Sequence, residues 1–186
     1  MNHHNHRHSQ GLTLIELLVA VVILALLSGL LVRSYLQHAR YQALQSASSA
    51  TAEWLAGIRK RAMQQNQACS IAVTPSSTTL EAASDNACGT FPALNLSTIS
   101  SGSATISFCY HNSDPIEPNS VSAACGSNSS NSNATLTFSP RGTNQRNAVF
   151  EFFSGTEQAK TCALVIQPNG IIRYGTIRSG HCETNG

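Results

Sequence analysis

The chain has 186 residues, room for one ordinary domain and an accessory element. Charged residues make up 11%, against roughly 25% in typical soluble domains, and the net charge of +2 is too small to imply a polyanionic partner. The low charge has two sources: an uncharged apolar run near the start and a remainder rich in Ser, Thr and Asn.

Residues 1–11, MNHHNHRHSQG, are polar, weakly basic and end in Gly11. His3, His4, His6 and His8 would suit a metal site or a tag remnant, but a discarded leader explains them more simply. Residues 12–32, LTLIELLVAVVILALLSGLLV, are the expected transmembrane segment. At 1.5 Å per residue they span about 31 Å as a helix, matching a bilayer core of about 30 Å. This is too long for the core of a secretory signal, and no small-residue cleavage site follows, so the segment stays in the mature protein. Glu16 interrupts the run. A carboxylate there costs a few kcal/mol on insertion scales, and such residues usually have a partner; a helix start favoured by the macrodipole is the alternative.

Gly11 followed by Leu12-Thr13-Leu14-Ile15-Glu16-Leu17-Leu18 resembles the prepilin signature of type IV pilins and type II secretion pseudopilins. Leu12 stands where that family most often has Phe or Met. The resemblance implies cleavage between Gly11 and Leu12 by a prepilin peptidase on the cytoplasmic face, followed by N-methylation of Leu12. It implies a single pass through the inner membrane with the head in the periplasm, then incorporation into a filament at the cell surface. Glu16 becomes an assembly residue, neutralising the Leu12 amine of a neighbouring subunit so that two charges costly in lipid meet inside the fibre.

Past Arg33 the helical pattern meets no Gly until Gly57 and no Pro until Pro75. Leu36, Ala39, Ala43, Leu44, Ala47, Ala50, Trp54, Leu55, Ile58 and Ala62 recur at spacings of three and four, which is one face of an amphipathic helix. One helix over 12–65 is expected, its second half packing under the head. The chain then divides into a leader (1–11), a helical segment (12–66) and a β-rich head (67–186). Arg59-Lys60-Arg61 reads as a solvated helix end whose cations complement the dipole, with phosphate binding as the sharper alternative.

From residue 67 on, short β-branched and aromatic runs alternate with Ser, Asn, Gly and Pro. Strands are expected at 70–74, 78–81, 104–110, 134–138, 148–153, 162–167 and 171–177. Pro168-Asn169-Gly170 joins the last two as a hairpin turn that uses the tolerance of Asn-Gly for positive φ. Residues 126–133, GSNSSNSN, form a flexible loop by composition. The expected fold is α+β, an antiparallel sheet or small sandwich against the long helix.

Six cysteines, all beyond the apolar run and none in a C-x-x-C, point to disulfides in an oxidising compartment. Of 15 possible connectivities, nearest-neighbour pairing (Cys69–Cys88, Cys109–Cys125, Cys162–Cys182) brackets loops between strands. Each would contribute roughly 3 kcal/mol in the chain-entropy account. Buried free thiols and a zinc site are the alternatives.

Leu136-Thr137-Phe138-Ser139-Pro140-Arg141-Gly142, then Leu164-Val165-Ile166 and Asn169-Gly170-Ile171-Ile172-Arg173, resemble the C-terminal domain of the GspH/FimT family of minor pilins. This resemblance implies a scarce subunit at or near the filament tip, with major and minor pilins or pseudopilins as partners and a role in initiating assembly or in adhesion. The alternatives are a type II secretion pseudopilin of the H type and a pilus receptor for double-stranded DNA. Some members of the family bind DNA through arginines near this hairpin, which here would be Arg173 and Arg178, with Arg141 and Arg146 in the preceding turn. The head from residue 68 carries five basic and seven acidic residues, which counts against a dense phosphate-binding patch. No G-x-S-x-G, H-E-x-x-H or Gly-rich phosphate loop occurs. His111, Asp114 and Glu117 form the one compact polar group, expected in a solvated turn because of Pro115 and Pro118. The expectation is a structural protein without cofactor, metal or catalytic residues.

Overall fold

The computed structural model describes residues 13–74, 79–82, 88, 91–99, 106–113, 119–121, 134–155 and 159–184, excluding the side chains at 28–34. One helix, α1 (Leu14–Gln65), precedes nine strands: β1 (Cys69–Val73), β2 (Thr79–Ala82), β3 (Leu94–Asn95), β4 (Ser107–Ser113), β5 (Ala134–Phe138), β6 (Asn147–Phe153), β7 (Thr161–Ile166), β8 (Ile171–Arg178) and β9 (His181–Thr184). The chain separates into two compact units, Met1–Ala39 and Arg40–Gly186. The second half of α1 therefore belongs with the strands.

In the first unit, the large apolar side chains of residues 14–27 are exposed on every side of the helix, Leu14 at 83% and Val22 at 50%. Among the described residues no helix is long and apolar enough to cross a membrane. The expected span of 12–32 reaches beyond them at both ends. Residues 14–27 alone cover about 21 Å, short of a bilayer core of about 30 Å.

In the second unit, Leu44, Ala47, Thr51, Leu55, Ile58 and Ala62 bury one face of α1 at spacings of three and four. Each large aliphatic so removed from water contributes about 1.5–3 kcal/mol. Leu36, expected on this face, is exposed, while Ser48 and Thr51 are buried. Their hydroxyls donate to carbonyls of the preceding turn, Ser48 to Gln45 (2.9 Å) and Thr51 to Ala47 (2.8 Å). That self-satisfaction lets polar residues sit in a core that a hydropathy pattern reserves for apolar ones. The helix ends at Asn66, which adopts φ +51°. Asn66 N–H donates to Met63 O and Gln67 N–H to Ala62 O, the paired closing bonds of a Schellman cap.

All strand pairs are antiparallel and form two sheets, β3-β2-β1-β5 and β4-β6-β7-β8-β9. Alternation along the five-stranded sheet sorts its residues into two faces. Phe108, Tyr110, Ala148, Phe150, Phe152, Ala163 and Val165 join Leu44, Leu55 and Ile58 of α1 and Ile71, Leu80 and Phe138 of the other sheet in the main core. On the opposite face Val149, Cys162, Leu164 and Cys182 form a smaller cluster with Val121, Ile166 and Ile177.

The segment 88–99 is tied down at three points. Cys88 is disulfide-bonded to Cys69 at the start of β1. Trp54 Nε1 donates to Pro92 O (2.7 Å), and its ring meets Phe91 edge-on at 6.1 Å. Phe91 in turn packs against Gly57, where an added Cβ would lie 2.7 Å from the ring. A glycine inside α1 costs roughly 1 kcal/mol of helix propensity. Here it makes room for an aromatic side chain.

Two expectations are corrected by these contacts. Arg59 is not a solvated cation at the helix end: Nε donates to Gly142 O (2.8 Å) and Nη2 to Asn169 O (3.0 Å). One helical side chain thus joins the turn after β5 to the turn after β7. No basic residue lies in the last turn of α1, so the dipole argument for residues 59–61 lapses. The β7–β8 turn also differs from the expected Asn-Gly form, since positive φ falls on Gly170 (+61°) and not on Asn169. A Cβ at Gly170 would overlap the carbonyl oxygen of Gly142. The two turns approach so closely that one must be bare.

Cys162 and Cys182 are disulfide-bonded with Cα atoms 5.9 Å apart, although β8 lies between their strands. Two flat strand spacings would place them about 9.6 Å apart, so β9 curls back over the sheet. The curl passes over Gly175, where a Cβ would overlap the backbone of Glu183. The substitution Gly175→Ala is expected to lower the melting temperature more than Gly155→Ala, whose added methyl meets nothing within 4 Å and suffers only its positive φ of +58°, about 1–2 kcal/mol. Thermal melts of both variants decide this, and equal losses would show that β9 does not press on Gly175.

Candidate functional site

Four groups of side chains carry the chemistry. At the start of α1, Thr13 and Glu16 cap the helix reciprocally. Thr13 N–H and Oγ1 both donate to Glu16 Oε2 (3.0 Å each), and Glu16 N–H donates to Thr13 Oγ1 (3.3 Å). This is a capping box, T-x-x-E, and it explains how a carboxylate can stand at the head of an apolar helix. Around it lie Ile15, Val19, Ala20 and Ile23, an open apolar surface along one side of the helix. Gly11 and Leu12, the expected processing site, lie outside the described residues.

The four arginines expected near DNA are all exposed, but β8 separates two of them. Arg173 pairs with Leu164 and shares the parity of Ile177, on the smaller-cluster side. Arg178 shares the parity of Ile172, on the main-core side. The two guanidinium groups therefore leave opposite faces of one strand. Arg178 Nε also lies 3.7 Å from Glu183 Oε2, an exposed pair of small energetic weight. Arg141 stands in the turn after β5, and Arg146 at the entry to β6.

The cysteine pairs Cys69–Cys88 and Cys162–Cys182 are present, and Cys109 is also disulfide-bonded. Its expected partner Cys125 lies outside the described residues, as do Asp114 and Glu117 of the expected polar turn. Among the described residues no group of three or more His, Cys, Asp or Glu side chains could hold a metal ion.

His111 is not in a solvated turn. It belongs to β4, is 4% exposed, and its Nε2 lies 3.0 Å from Glu151 Oε2. Glu151 is 1% exposed and its other oxygen lies 2.6 Å from Lys160 Nζ. It sits directly between Cys109 and Cys162 in the strand register. The sequence reading missed this centre because the Pro115 and Pro118 punctuation masked the strand character of 111–113. The available signal was Glu151 itself, a lone carboxylate in the run Asn147–Phe153 (NAVFEFF), which cannot be buried without partners.

Burial pushes the Glu151 carboxyl upward, but hydrogen bonds and charge from His111 and Lys160 outweigh it and hold the group below its ordinary range. A carboxylate depressed by folding contributes stability above its unfolded pKa of about 4.3, and loses it as pH falls through the folded value. Unfolding of the detergent-solubilised chain, followed by near-UV circular dichroism, is expected to show stability falling below about pH 4, with Glu151→Gln flattening that acid limb. Superimposable acid limbs would remove Glu151 from the account.

Residues 6–32 match the family of the prokaryotic N-terminal methylation motif. Among curated proteins none matches the chain. Among solved structures, the type IV minor pilin FimU of Pseudomonas aeruginosa is similar, at 18% identity, over 75% of this chain and 92% of that one, with a TM-score of 0.46. A likeness at that score carries no argument about function. What this chain shares with known proteins in sequence is the N-terminal methylation motif, which takes in Gly11, Leu12 and Glu16.

Proposed function

We propose that the chain is a minor pilin of a type IV pilus, cut after Gly11 by a prepilin peptidase, methylated on Leu12 and assembled through its N-terminal helix. The observation that carries this is the methylation motif over residues 6–32, set on a helix whose large apolar side chains are exposed all round. Such a surface is stable only in lipid or against other helices. Glu16 lies at its head, held by Thr13 in the isolated subunit. Its carboxylate can exchange those bonds for the cationic amine of a neighbouring Leu12 when subunits pack. Anchoring in the inner membrane, a head in the periplasm and a place at the filament tip belong to this reading, with other pilins and the peptidase as partners. Arg173 and Arg178 leave opposite faces of β8, and the role that the motif and the helix support is structural assembly.

Intact mass and N-terminal sequencing of the native protein are expected to give a chain starting at Leu12 and heavier by one methyl group. Recovery of a chain that still begins at Met1 would refute processing. The substitution Glu16→Ala is expected to leave cleavage intact but abolish recovery in sheared filaments, while Glu16→Asp retains part of it. Wild-type recovery of the alanine variant would refute the assembly role.

A further inference from the structure

The hairpin of β5 and β6 is paired only at its base. Phe138 bridges Asn144, and Ser139 N–H donates to Thr143 O (2.8 Å). Beyond that point β5 joins the four-stranded sheet beside β1, and β6 enters the five-stranded one. The split opens a cleft of ≈ 390 Å³ lined by Asn112, residues 134–137, Gln145 and Arg146.

Four successive residues of one strand can line a cleft only where it runs along the strand's edge, because a face shows alternate residues. Ser139 N–H points away from β1, so alternation turns the N–H and C=O of Thr137 and Thr135 the same way, toward the cleft. Among the described residues no strand lies on that side of β5. Edge strands are commonly blocked by Lys, Pro or an inward charge, and β5 (ATLTF) has none of these.

The side chains around this edge include donors and one cation. Tyr110 hydroxyl donates to Asn112 Oδ1 (2.9 Å), which leaves the Asn112 NH₂ group free to donate at the cleft. Arg146 is exposed, and among the described residues no carboxylate lines the cleft. Among the described residues the lining is polar and holds no aromatic ring, a poor floor for an apolar small molecule. A second copy of this chain paired edge to edge at β5 would bring a second Arg146 to the cleft and, among the described lining residues, no anion to meet it.

We propose that the outer edge of β5 takes up an extended acidic segment of a partner protein by strand addition, with Arg146 receiving a carboxylate of that segment. Main-chain bonds to Thr135 and Thr137 supply affinity, and the cation supplies selectivity. The proposal needs only the folded strands and is independent of processing and assembly.

The test uses the full chain in detergent micelles and two capped hexapeptides of alternating threonine and valine, one with a central aspartate and one with lysine in its place. Amide hydrogen exchange read by NMR is expected to slow at Thr135 and Thr137 with the aspartate peptide. That peptide should bind at least about 10-fold more tightly than the lysine one, or about 1.4 kcal/mol. The variant Arg146→Glu should reverse the preference. Thr135→Pro removes one outward donor and no bond to β1, so it should abolish binding with the near-UV spectrum unchanged. Should that variant fail to fold, the charge reversal decides alone. Absence of binding, equal affinity for the two peptides, binding that survives in a folded Thr135→Pro, or slowing that grows with protein concentration without peptide would each overturn the proposal.

Discussion

The head depends on one buried helical face. From Leu44 to Ala62, α1 supplies the shared core into which both sheets turn their apolar sides. The four-stranded sheet includes a strand of only two residues, and both sheets share the core that the helix completes. Remove the helix and the aromatic row of Phe108, Phe150 and Phe152 faces water. The Thr161 hydroxyl adds a directional tie, donating to Leu44 O (2.9 Å) inside the core, and Arg59 adds another near the helix end. The apolar face sets the position, and these polar bonds set the register.

Much of this architecture was legible beforehand, because period is a strong signal. The unbroken pattern over 12–65 became α1 (Leu14–Gln65), and six of the expected strands lie within about one residue of observed ones. The segment 104–110 was displaced toward its N-terminal side, β4 running instead from Ser107 to Ser113. The polar residues His111 to Ser113 were discounted, although the register with Val149, Ala148 and Asn147 holds them in the sheet. β3 and β9 were missed for a similar reason. Each is short and polar, and each exists because a neighbour offers it a ladder.

The sites were less legible than the fold. Local rules explain why Arg59 looked like a helix terminus, since three cations in a row near the end of a periodic run usually are. Its actual partners, the carbonyls of Gly142 and Asn169, lie 83 and 110 residues away in sequence. The buried ionic centre at Glu151 likewise needs three separate strands or loops to be brought together. The capping box is the opposite case, because Thr13 and Glu16 are three residues apart and any helix begun there will form it.

The bond from Cys162 to Cys182 spans β8 from one side to the other. An outermost strand is ordinarily the first part of a sheet to fray, since its ladder can open from a free end. Here β9 is fastened to a strand one row further in, with β8 held between the two. A pull on β9 therefore loads the interior strand β7 directly, and β8 cannot slip out from between them. Under tension or shear, such a lashing would confine any extension of the head to segments outside the loop it closes.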